Sequence, residues 1–143
     1  MTIHSKRFFL RGVFFVAALA LVSGCGGDKL TPYPVTGKLL IGGKEPDGAL
    51  VRLHPVGDDN PNALRPLGYV QPDGSFQLTT YKENDGAPAG RYKVTVEWRP
   101  KKKSSMEPDG PDRLKGRYTD PKTSKIEVTV NKGETNLDLI KLD

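Results

Sequence analysis

The sequence predicts an all-β domain, a seven-stranded antiparallel two-sheet sandwich, preceded by a cleaved leader. Three observations predict it. Apolar residues recur with period two in short segments. No stretch sustains a 3.6-residue apolar period, so almost no helix is expected. Gly, Pro and Asp clusters break the chain at short intervals, as turns between sandwich strands do. A small open barrel is the alternative closure.

The first strand is read over Tyr33 to Ile41, with Val35, Leu39 and Ile41 on one face and Thr36 and Lys38 on the other. Gly42-Gly43 and Pro46-Asp47-Gly48 signal turns. Ala49 to His54 is the second strand, with Ala49, Val51 and Leu53 in phase against Arg52 and His54. Residues 57–66 are a polar loop. Leu67 to Gln71 and Ser75 to Tyr81 form a hairpin around Pro72-Asp73-Gly74, with Phe76 and Leu78 inward. The clearest strand is Arg91 to Trp98, where Tyr92, Val94, Val96 and Trp98 alternate with Lys93, Thr95 and Glu97. Ile126 to Val130 alternates again. Thr135 to Leu142 closes the chain, with Leu137 and Leu139 in one phase and Ile140 and Leu142 in the other. A bulge or a strand end covered on both faces reconciles those phases.

Ahead of the strands, Lys6, Arg7 and Arg11 form a positive region, and Gly12 to Val22 is an uncharged apolar run. That run fits the ~7–15 residues of a secretory signal and is shorter than the ~20 of a membrane span. Ser23 and Gly24 are small, and Cys25, the only cysteine, follows them. This segment resembles a bacterial lipoprotein signal. The resemblance implies that residues 1–24 are removed and that Cys25 carries a diacylglycerol on its sulfur and an acyl chain on its new amine. Two or more chains hold a protein stably in a bilayer, at roughly 0.8 kcal/mol per buried CH₂. Residues 25–32 are then a lipidated flexible tether, and 33–143 the domain. Position 26 is Gly, not the Asp that favours inner-membrane retention in enteric bacteria, so the outer membrane is the expected address in the cell envelope.

Without the leader, 119 of the 143 residues remain, enough for one core. Three of the 22 basic residues and none of the 17 acidic ones lie in the leader, leaving 19 against 17 and a net charge near +2. A charge-based case for nucleic-acid binding therefore lapses. With no second cysteine, packing and not a disulfide must stabilise the domain.

Within 33–143, Val35-Thr36-Gly37-Lys38, Gly43-Lys44-Glu45-Pro46 and Gly48-Ala49-Leu50-Val51 resemble the opening of carboxypeptidase-regulatory-like, transthyretin-like (prealbumin-type) domains. Asp73-Gly74-Ser75-Phe76 is similar to their hairpin, and residues 86–96 to the entry of their central strand. Residues 115–124 resemble an element of small lipoproteins abundant in planctomycete-type bacteria, although residues 112–115 lack the proline usual before the tyrosine. The resemblance implies a Greek-key sandwich of transthyretin type. It implies no common activity, since the relatives serve mostly as accessory, adhesive or folding-assisting modules. Gly74 and Gly90 also have a plain reading as turn residues, and Phe76 and Tyr92 as inward anchors.

No catalytic constellation is visible, and the expectation is a non-enzyme without metal or cofactor. His54 is the sole histidine past the leader, on the polar phase of its strand, and no nucleophile elbow surrounds Ser75, Ser104, Ser105 or Ser124. One histidine and a lipidated cysteine do not make a zinc site. Asp58-Asp59-Asn60, Asp109 and Asp112 lack the calcium-loop pattern and read as solvated loops.

The strongest surface signal is basic: Arg99, Lys101, Lys102, Lys103, Arg113, Lys115 and Arg117, on a loop of roughly 18 residues. These are the candidate contacts to a partner, an anionic envelope component or an acidic protein. The plain alternative is a solvated loop whose charge guards a sheet edge. The leading expectation is thus a lipid-anchored, non-enzymatic binding or accessory module. A carbohydrate-binding module using Trp98 and exposed tyrosines is the second reading, although the phase of Trp98 points inward. A hydrolase using paired loop carboxylates is the third.

Overall fold

The computed structural model describes residues 29–100, 104 and 110–143, and the leader, Cys25 and Lys101 to Lys103 lie outside them. Ten short strands form, and no helix occurs among the described residues. They are β1 (Pro32–Tyr33), β2 (Val35–Ile41), β3 (Leu50–Pro55), β4 (Leu67–Tyr69), β5 (Ser75–Gln77), β6 (Ala87–Pro88), β7 (Gly90–Glu97), β8 (Glu127–Val130), β9 (Thr135–Asn136) and β10 (Ile140–Leu142). One sheet has β2 at its centre, with β5 on one side and β9 and β10 on the other; the second has the order β4-β3-β7-β8. A ribbon of β1 and β6 closes one end.

The core lies between the two sheets and follows the period-two phases. Val35, Leu39, Ile41, Phe76 and Leu78 face Val51, Leu53, Tyr92, Val94 and Val96, all buried. Two positions depend on close approach. Gly37 pairs with Phe76 across β2 and β5, and a Cβ at 37 would lie 2.5 Å from the Phe76 ring. Gly86 has φ of +92° and sits beneath the Tyr33 carbonyl, so a side chain there would collide with backbone. Buried Tyr92 donates from its hydroxyl to the Pro88 carbonyl at 2.8 Å, a tyrosine-corner bond tying β7 to the ribbon; burial raises its pKa.

Two expectations need correction, and the expected hairpin forms. The seven expected strands become ten, because the last one divides and because β1 and β6 form a ribbon. The sandwich is also not wholly antiparallel, since β9 and β10 run parallel to β2. Val35 faces Thr135 and Leu39 faces Ile140, so four steps of β2 span five of the C-terminal segment. That extra residue is a bulge. It turns Leu137, Ile140 and Leu142 all inward and leaves Leu139 43% exposed. Finally, the hairpin around Asp73 keeps its turn, with Ser75 N–H and Oγ donating to Asp73 Oδ1 at 2.9 and 2.6 Å. Its arms also extend different sheets, β4 with β3 and β5 with β2, and are joined to each other by the Leu67–Thr79 bridge and by Gln71 N–H donating to the Ser75 carbonyl at 2.7 Å.

Candidate functional site

Strand β7 gives the molecule its polarity. Its start at Gly90 follows the ribbon, where Pro32–Tyr33 pairs with Ala87–Pro88. Lys29 sits there too, its Nζ 4.0 Å from the centre of the Tyr81 ring. Strand β1 thus takes in Pro32, the last residue of the stretch expected as tether. The connecting loop is rigidified by Asp85, which accepts from the backbone N–H groups of Thr80, Tyr81 and Lys82 at 2.7, 3.0 and 2.9 Å. Burial raises the Asp85 pKa, but those bonds and the Lys29 charge outweigh it and leave it low.

The other end of β7 leads into Trp98 and Arg99, where the long loop begins. Gly90 and Glu97 are about 23 Å apart at ~3.3 Å per residue. The described part of the loop closes into a neck. Arg99 is ion-paired to Glu97, and its Nη1 donates to the Gly110 carbonyl at 2.9 Å. Gly110 packs on Pro100, where a Cβ would lie 3.1 Å from the ring. Asp112 organises the returning strand of chain by accepting from the N–H groups of Trp98, Leu114 and Gly116 at 2.8, 3.1 and 2.8 Å. Burial raises its pKa; the bonds from Trp98, Gly116 and Leu114, with the Arg99 charge, outweigh burial and hold the carboxyl below its ordinary range. Leu114 is buried behind this cap.

The basic candidates at this end serve different tasks. Arg113 covers the Trp98 ring with its guanidinium 4.8 Å from the ring centre. Arg117 lies over Tyr118 and donates to the Asp143 carbonyl at 2.9 Å. Lys115 is exposed, with φ of +54°. Three of the four described basic candidates are therefore tied into the fold, and Lys101, Lys102 and Lys103 are outside the described residues. Trp98 is half-buried against the core; Arg113 covers its ring, and its Nε1–H donates to the Asp47 carbonyl at 3.1 Å. It is not a free stacking platform.

The same end opens a groove of about 580 Å³ on the outer face of the second sheet. Tyr69, Leu50 and Glu97 stand in one cross-strand row on β4, β3 and β7. Leu50 forms the floor, with Tyr69 on one side and the Glu97–Arg99 pair on the other. Tyr69 is 58% exposed. The tyrosines are scattered along the chain, so sequence spacing alone does not single out Tyr69. Its phase was the available signal, since buried Val70 next to it forces Tyr69 outward.

Several of the residues weighed for catalysis are engaged in structure, while Ser105 and Asp109 lie outside the described residues. His54 is half-buried and shares a 2.9 Å hydrogen bond with Thr95 through Nε2 and Oγ1. Burial, then the charges of Arg65 and Arg52, lower its pKa below the ordinary histidine value. Thr95 is itself buried, against the alternation expected of β7. The segment after the neck runs beside this half of the strand, with Val96 N–H donating to the Tyr118 carbonyl at 2.9 Å and Ser124 Oγ to the Val94 carbonyl at 2.6 Å. Asp58 is spent on its own turn, accepting from Asn60 N–H at 3.0 Å. Among the described residues no group of three His, Cys, Asp or Glu side chains is placed to hold a metal.

The chain matches no family model and no curated protein. The crystal structure of a DUF3823 family protein from Parabacteroides merdae is similar to it at 14% identity, with a TM-score of 0.41 over 77% of this chain. This chain spans 45% of the length of that one.

Proposed function

We propose that this is a lipid-anchored protein of the bacterial cell envelope whose transthyretin-like sandwich is a non-enzymatic binding or accessory module. Cys25 is the acylated residue of this reading, and the outer membrane its site. The observation that supports it is the polarity of β7. The chain enters the body beside Lys29 and the ribbon, while the groove and the neck of the basic loop open from the opposite end of the strand. A membrane anchor at Cys25 therefore directs the groove away from the bilayer, toward a partner. The strand order, with β2 central in one sheet and β4-β3-β7-β8 in the other, supports the transthyretin-like assignment. The engagement of His54 and Asp112 in structural hydrogen bonds supports the non-enzymatic one.

Intact-mass spectrometry of the chain purified from its native membranes tests this. The expected product starts at Cys25 and carries the added mass of a diacylglycerol and an acyl chain. Cys25→Ser should retain residues 1–24 and lose that mass. A native product with an unmodified Cys25 would overturn the reading.

A further inference from the structure

We infer that the groove beside Tyr69 is a binding site for a neutral polysaccharide chain, with Tyr69 as its stacking platform. The inference rests on the reading of the domain as a binding module, not on the anchor. Tyr69 presents a flat apolar face to solvent while its hydroxyl stays polar, which suits the C–H face of a pyranose with hydroxyls around its rim. The floor beside it is the aliphatic side chain of Leu50. Around these stand groups of both hydrogen-bonding senses: the Gln71 amide, the Glu97 carboxylate and the Arg99 guanidinium. Gln71 is braced by donating to the Tyr69 carbonyl at 3.3 Å. Arg99 is held by Glu97 and Gly110, so these polar groups are already oriented before a ligand arrives.

Charge decides between ligand classes. Among the described residues of the groove the cation is Arg99, paired with Glu97, and Asp47 lines the same wall. An acidic polymer would meet two carboxylates and a guanidinium already satisfied. An uncharged, hydroxyl-rich chain needs no countercharge and meets both donors and acceptors. The row from Tyr69 to Glu97 crosses three strands, about 10 Å at ~4.8 Å per strand, and the groove is open, as a polymer needs. Of the basic loop, the feature most prominent in the sequence, Arg99 belongs to this groove, and the loop's lysines have no part in the proposed contact.

The test titrates the full-length chain, purified in a polyoxyethylene detergent, with hexasaccharides of β-1,4-glucan, α-1,4-glucan and β-1,4-mannan, and with hexagalacturonate as the acidic probe. Calorimetry should show binding of at least one neutral hexamer. Tyr69→Ala should weaken it about tenfold or more, and Tyr69→Trp should keep it within about threefold. Lys101→Glu with Lys102→Glu and Lys103→Glu should leave it unchanged. Tyr69 is exposed, so its variants should unfold at the wild-type temperature. Absence of neutral-hexamer binding, equal binding by Tyr69→Ala, or binding of hexagalacturonate alone would overturn the inference. A lipidated chain that binds no sugar sinks this inference alone, whereas an unlipidated chain that binds through Tyr69 sinks the anchor alone.

Discussion

Gly37 is a socket. The Phe76 ring occupies the space where a side chain at 37 would stand, in the middle of β2 and directly across from β5. Gly37→Ala should therefore destabilise by overpacking, by about 1–3 kcal/mol, in urea or thermal unfolding; a change within about 0.5 kcal/mol would show that the ring has room to move. The period-two pattern made Phe76 legible as a core residue, but what it packs against is not local in sequence, so the reason for a glycine at 37 was not. Trp98 illustrates the same limit. Its inward phase was readable and it does pack on the core. The Arg113 cover and the Asp47 hydrogen bond come from chain far away in sequence, and periodicity carries no trace of them. Conversely, Tyr69 was legible as an outward residue, and only the fold sets it beside Leu50 and Glu97.

Among the elements, the neck of the long loop depends on one carboxylate. Asp112 accepts three backbone N–H bonds, one from Trp98 that joins the end of β7 to the returning chain and two from Leu114 and Gly116 that shape the returning turn. Asp112→Ala should cost about 1–3 kcal/mol, the worth of charge-assisted bonds partly exposed to water. The pH dependence has a definite sign. The folded pKa of Asp112 lies below its ordinary 3.8, so its contribution is complete above about pH 4 and is lost as pH falls through the folded value. The stability gap between wild type and Asp112→Ala should thus be constant from pH 5 to 7 and shrink below pH 4. A gap that does not shrink at all as pH falls below 4 would mean that packing of the neck, not the ionised carboxylate, matters. Elements with strong alternation, β2, β3 and β7, were readable close to their ends because one face of each is buried. The C-terminal strand was readable only as a conflict of phases. Its bulge follows from the conflict, but its parallel pairing with β2 does not, because strand direction is a property of topology and leaves no mark on periodicity. The β1–β6 ribbon escaped for a related reason. It has two residues per strand, fewer than any period needs, and two of them are prolines.

At the scale of the whole molecule, the account is one of orientation. The chain enters beside Lys29, Tyr81 and the ribbon, and Tyr69, Glu97 and Arg99 belong to the opposite end, with Lys115, whose N–H donates to the carbonyl of the same Asp112 that accepts from Trp98. A membrane anchor four residues before Lys29 would hold the first end at the bilayer and the groove beyond it. The chemistry of the chain makes this directly measurable. Its one cysteine is the residue assigned to the lipid, so a single added thiol can be labelled without interference. Lys82→Cys at the entry end and Lys115→Cys at the far end, both exposed positions, are labelled in the full lipidated chain and reconstituted in vesicles containing an energy-transfer acceptor. The label at 115 should lie about 20 Å farther from the bilayer than the label at 82, given ~3.3 Å per strand residue along β7. Equal distances, or a label at 115 nearer the membrane, would contradict the account.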